Sequence, residues 1–101
     1  MTIAVLIHEP KDAIEEIELH VDEIYKVIPG RATFIGQWPE LDVVIVKAVT
    51  AETLNENTLP PPFHEDEVTG KVLLVRMDED SEPQDFTKKE YLAWVECRRS
   101  P

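Results

Sequence analysis

The chain has 101 residues, 43% hydrophobic and 31% charged, which suits one soluble domain spanning residues 1–101 with a single core and excludes disorder of the whole chain. Asp and Glu number 21 against 10 Lys plus Arg, a formal charge of -11, and that field opposes direct binding to a phosphate backbone. One cysteine, Cys97, excludes an intrachain disulfide, the N-terminal MTIAVLIHEP lacks the basic region of a secretory signal, and no apolar run approaches the roughly 18 residues of a membrane span.

Thr2 to Ile7 is an apolar, β-branched run and predicts a buried strand ended by Glu9-Pro10. Lys11 to Ile28 carries two periodicities. Ile14, Ile17, Val21, Ile24 and Ile28 fall on one helical face, whereas Ile17, Leu19 and Val21 alternate with Glu18 and His20 at strand spacing. A strand over Ala13 to Leu19 followed by a short helix over Val21 to Ile28 satisfies both, and one continuous helix is the rival. Pro29-Gly30 stops the segment in either case.

Arg31 to Gln37 reads as a strand and Trp38-Pro39-Glu40 as a turn. Leu41 to Ala48 (LDVVIVKA) has a continuous apolar centre, the pattern of an interior strand. Val49 to Thr69 is a long connection with little apolar periodicity. Lys71 to Met77 (KVLLVRM) is a further buried strand, and Asp78 to Gln84 an acidic turn. Thr87 and Glu90 have the spacing of a capping box, with Phe86 and Tyr91 placed as a hydrophobic staple. The helix they open carries Tyr91, Leu92 and Val95 on an apolar stripe flanked by Trp94, and Arg98 and Arg99 at its C-terminal end. The order β-β-α-β-β-β-α predicts an α+β fold: a small mixed or antiparallel sheet of about four to five strands with two helices.

Few residues have the spacing of a chemical site. His8, His20 and His64 are far apart, so a metal site is not expected, although His64 adjoins Glu65, Asp66 and Glu67. Asp78, Asp80 and Glu82 begin like a calcium loop, but Pro83 stands where glycine is needed and Lys89 where the bidentate glutamate belongs. Cys97 sits on the last turn of a helix, where the dipole opposes a thiolate. Three glycines make no phosphate loop. Pro60, Pro61 and Pro62 favour polyproline II, yet the acidic residues around them do not suit a peptide ligand of the SH3 class. Trp38 and Trp94 read as packing residues rather than base-stacking platforms.

The order of motifs resembles a family of small uncharacterised proteins, a domain of unknown function, encoded mainly by bacteriophages and other mobile elements. The resemblance runs through AVLIHEP, IEEIEL, VDEIYKVIPG, VVIVKA before NENTLPPP, TGKVLLV and MDEDSEPQDFTKKEYLAWVE. Thr58 replaces the usual glycine, the acidic segment His64 to Glu67 is extra, and the Lys-rich contacts sometimes present around the turn are missing. The resemblance implies the α+β fold, the strand reading of Ala13 to Leu19 and a phage or mobile-element setting. It implies no activity, cofactor or catalytic residue.

The expectation is a small acidic, non-enzymatic accessory protein of the cytoplasm (the host's, if phage-encoded). It would bind a basic protein partner, in its sharpest form as a nucleic-acid mimic or anti-defence inhibitor. The residues expected to touch that partner are Glu65, Asp66 and Glu67 on the long connection and Asp78, Glu79, Asp80 and Glu82 on the acidic turn. No cofactor, metal, membrane or direct nucleic-acid contact is expected. The alternatives are a structural or homo-oligomeric protein, and a small-molecule binder or carboxylate enzyme, because carboxylate chemistry leaves no spacing signature.

Overall fold

The computed structural model describes residues 2–20, 27–28, 30–57, 59, 68–80 and 82–99. Strands β1 (Thr2–Ile7), β2 (Ile14–Leu19), β3 (Ala32–Trp38), β4 (Val43–Ala48), β5 (Val72–Met77) and β6 (Pro83–Gln84) precede one helix, α1 (Lys88–Arg99). The main path of the sheet is β2-β1-β5-β4-β3, with β6 paired to β5, and every pairing is antiparallel.

This corrects the expected architecture. Among the described residues the sheet has six strands rather than four or five, it is antiparallel throughout, and there is one helix rather than two. The second helix was expected over Val21 to Ile28, of which 21–26 lie outside the described residues; Val27 and Ile28 form a turn and a bend. The sixth strand comes from the acidic turn. Arg76 pairs with Gln84 and Met77 with Pro83, so the chain doubles back on β5 before the helix. Pro83 is tolerated there because it sits at the start of a short strand, where no interior ladder bond needs its missing N–H.

Ile14 to Leu19 is a strand, registered from Thr2↔Leu19 to Ile7↔Ile14 against β1. The helical spacing of its isoleucines is overridden by pairing. The strand places Ile14 against the core on the helix side and Ile17 against the core on the other. Trp38 belongs to β3 and is buried, not part of the turn, because its indole packs against Tyr91 and Trp94 of the helix.

The apolar runs of β1 and β5 have the same cause: both faces are covered. Val5, Ile7, Val72 and Leu74 point to the helix side with Phe86 and Tyr91, while Ala4, Leu6, Leu73 and Val75 point to the opposite side with Ile28. Helix α1 starts as its sequence predicts. Glu90 N–H donates to Thr87 Oγ1 (3.1 Å) and Thr87 N–H to Glu90 Oε1 (3.3 Å), a reciprocal capping box. Phe86 and Tyr91 meet edge to face with ring centroids 6.4 Å apart. Glu16 of β2 accepts from Lys88 N–H at 3.0 Å, so a carboxylate from the sheet also occupies the helix N-terminus.

Candidate functional site

The acidic turns at one end of the sheet come together through backbone geometry. In the β3–β4 connection, Leu41 N–H donates to Trp38 O (3.1 Å) and Asp42 N–H to Pro39 O (3.3 Å). Asp42 adopts a φ of 56°, a left-handed conformation that aspartate tolerates better than most residues. Its carbonyl then accepts from Met77 N–H at 2.8 Å. That bond sets the β3–β4 turn beside the β5–β6 turn, with Asp42 next to the Met77–Asp78 junction and Glu40, Glu79, Asp80 and Glu82 on the same two turns.

Within the β5–β6 turn the acids divide. Asp78 Oδ1 accepts from the N–H groups of Asp80 and Glu82, both at 2.9 Å, and Oδ2 accepts from Gln84 Nε2 at 3.1 Å. The Glu82 N–H, opposed by partial desolvation and aided by Asp80 and Gln84, holds the Asp78 carboxyl below the usual carboxylate range. Asp78 is therefore the residue that shapes the turn. Glu79, Asp80 and Glu82 are exposed on it. Asp85 adds a further exposed acid, with Oδ1 accepting from Ile3 N–H at 3.0 Å.

The described part of the long connection is structural at its start. Asn55 is a polar residue buried in the core, 7% exposed. Its amide donates to Gly70 O at 2.9 Å and to Ile7 O at 3.4 Å, and its Oδ1 accepts from Asn57 N–H at 2.9 Å. Asn57 Nδ2 donates to His8 O and Pro10 O, both 2.9 Å, and Asn57 Oδ1 accepts from Asp12 N–H at 2.8 Å. Glu56 N–H donates to Glu9 O at 2.7 Å. The Asn-Glu-Asn run thus clamps the β1–β2 turn. Asp12, at φ 63°, is held left-handed by that clamp. Leu59 follows into the core, while Glu65, Asp66 and Glu67, expected as contact residues, lie outside the described residues.

The clamp leaves a cleft of about 410 Å³ between the β1–β2 turn and α1. Ile14, Tyr91, Leu92 and Val95 give it apolar walls, and Asp12, Glu56 and Glu96 line it together with Lys11 and Asn57. The sequence did not mark this grouping, because its parts come from the hairpin, the connection and the helix. Glu40 and Asp42 were missed for a related reason: their nearness to Asp78–Glu82 depends on β4–β5 register.

Among the described residues no group of three or more His, Cys, Asp or Glu is placed to hold a metal ion. His8 Nε2 lies 3.4 Å from Glu15 Oε1 on the surface, and Cys97 is exposed on α1. Also among the described residues, no helix is long and apolar enough to cross a membrane.

Neither the curated proteins nor the solved structures hold a match to this chain. A family of unknown function, DUF5880, matches residues 5–94, from the first core strand to the aromatic stripe of α1, and the chain belongs to that family.

Proposed function

We propose that the protein is a small acidic, non-enzymatic accessory protein that presents the acidic end of its sheet to a basic protein partner. The observation that carries this reading is the Met77–Asp42 bond, which sets two acidic turns side by side. Glu40, Asp42, Glu79, Asp80 and Glu82 are all exposed there. A grouped negative field speeds encounter with a basic surface and disfavours acidic competitors. Its sharpest form is mimicry of a nucleic-acid backbone by a phage or mobile-element protein acting in the host cytoplasm against a defence or nucleic-acid-handling protein. Glu65, Asp66 and Glu67 extend the proposed contact set, with Asp78 as its organiser.

The test is retention of basic proteins from a host lysate at low and high salt, by the wild type and by a Glu79→Lys, Asp80→Lys, Glu82→Lys variant. The reading expects a salt-sensitive partner that the variant loses. A partner retained equally by both, or none at low salt, removes the acidic end from the account. Reversal of Glu65, Asp66 and Glu67 asks the same of the long connection.

The cleft beside α1 supports a second reading, a small-molecule binder or carboxylate enzyme. Apolar walls with three acids around them against one cation, Lys11, suit a cationic group on an apolar stem. Leu92→Lys would set a positive charge in that cleft and repel such a group without touching the acidic end, so the two readings separate by which variant loses binding.

A further inference from the structure

The two outer strands of the sheet's main path differ in a way that points to a self-association surface. β2 carries Glu15, Glu16 and Glu18, charges of the kind that keep an edge from pairing with another chain. β3, at the other end of the path, is ATFIGQW and carries no charge at all. In a chain of net charge -11 this neutral edge is where a second copy meets least repulsion.

Three features make the edge complementary to itself. Arg31 immediately precedes the strand and Glu40 closely follows it, so opposite charges stand at its two ends. Phe34 is 67% exposed. Beside it lies an open hollow of about 350 Å³ lined by Phe34, Gly36, Gln37 and Val44.

The backbone sets the register. Val49 N–H donates to Arg31 O at 2.7 Å, so Arg31 is bonded towards the β4 side. The alternation of an antiparallel ladder then turns the peptide groups of Ala32 and Phe34 outwards. The bulge between Phe34 and Gly36 inserts one residue, which makes Gln37 the next outward position.

We propose that β3 pairs antiparallel with β3 of a second copy about a two-fold axis at this bulge, joining two sheets into one. In that register Phe34 lies opposite Gln37 of the second copy, Ala32 opposite Pro39 and Arg31 opposite Glu40. The bulge, which discourages a foreign straight strand, is matched by its own symmetry mate. Each Phe34 ring enters the hollow beside Gly36 and Val44 of the other copy. The ladder ends at Pro39, which has no N–H to continue it. The contact is isologous, and every pair occurs twice.

Sedimentation velocity across the micromolar range tests this with the full chain. The wild type is expected to form a concentration-dependent dimer. Arg31→Glu and Glu40→Arg are each expected to weaken it about tenfold or more, as charge pairs at interfaces do. The double variant, with the charges exchanged, is expected to restore it. A wild type that stays monomeric throughout, or a double variant as weak as the singles, overturns the proposal. Should either charge variant fail to fold by circular dichroism, Phe34→Lys and amide exchange decide. Ala32 and Phe34 N–H protection should rise with concentration in the wild type but not in Phe34→Lys, and concentration-independent exchange overturns the pairing.

Discussion

Arg76 Nη1 on β5 lies 2.8 Å from Glu90 Oε2 in the first turn of α1, and this pair ties the helix cap to an interior strand of the sheet. The same guanidinium donates from Nε to Leu41 O at 3.0 Å and from Nη1 to Asp85 O at 3.1 Å, and its centre stands 5.0 Å from the Phe86 ring centroid. Four segments therefore meet on one side chain: β5, the β3–β4 turn, the β6–α1 connection and the helix. Arg76→Met keeps the stem and removes the donors. It is expected to destabilise by about 2–3 kcal/mol, since two backbone carbonyls and a carboxylate lose their partner together. Urea unfolding checks this. Arg76→Lys should recover only part of the loss, because an ammonium cannot reproduce the planar fork.

Acid should weaken the same junction. Burial pushes the Glu90 carboxyl up, but hydrogen bonds from Arg76 and Thr87 and the Arg76 charge outweigh it and hold the group below its ordinary value of 4.5. A carboxyl depressed in the folded state contributes stability above its unfolded value, and that contribution is lost as pH falls through the folded one. Asp78 acts in the same direction from an ordinary value of 3.8. Stability should therefore be flat in these groups near neutrality and begin to drop below about pH 4.5. Glu90→Gln is expected to be less stable at neutral pH and to show a shallower acid-side fall, measured as urea midpoint against pH.

Removing the Asn55 amide should be costly. Asn55→Ala leaves the carbonyls of Ile7 and Gly70 without this donor, for an expected loss of about 2 kcal/mol or more. Asn57→Ala should have a narrower effect. It frees the β1–β2 turn, so amide exchange at Asp12 should accelerate while the exchange of β5 amides changes little.

Gly70 is expected to accept no side chain. Its φ is 78°, and an added Cβ would overlap that of Ala51. Gly70→Ala combines left-handed strain with overpacking and should destabilise by about 2 kcal/mol or more in the same urea assay. Ala51→Gly in that background should return part of the loss by removing the overlap, while leaving the backbone strain.

Local chemistry determined much of this protein before any contact was known. Thr87, Glu90, Phe86 and Tyr91 lie within one helical turn and its flank, so cap and staple follow from spacing alone. The apolar runs of β1, β4 and β5 announced strands covered on both faces for the same local reason. The tertiary structure decided what depends on neighbours distant in the chain. Pairing with β1 chose strand over helix for Ile14–Leu19, whose isoleucines have helical spacing while Ile17 and Leu19 alternate with Glu18. Pairing with β5 drew a sixth strand out of an acidic turn. Packing against Tyr91 and Trp94 drew Trp38 into β3. Antiparallel register brought Glu40 and Asp42 to Asp78–Glu82, and long-range hydrogen bonds made Asn55–Asn57 a clamp that walls a cleft. The sequence determined charge, period and caps because these act within a few residues. Adjacency was left to the fold, because a strand's register is set by the partner it meets.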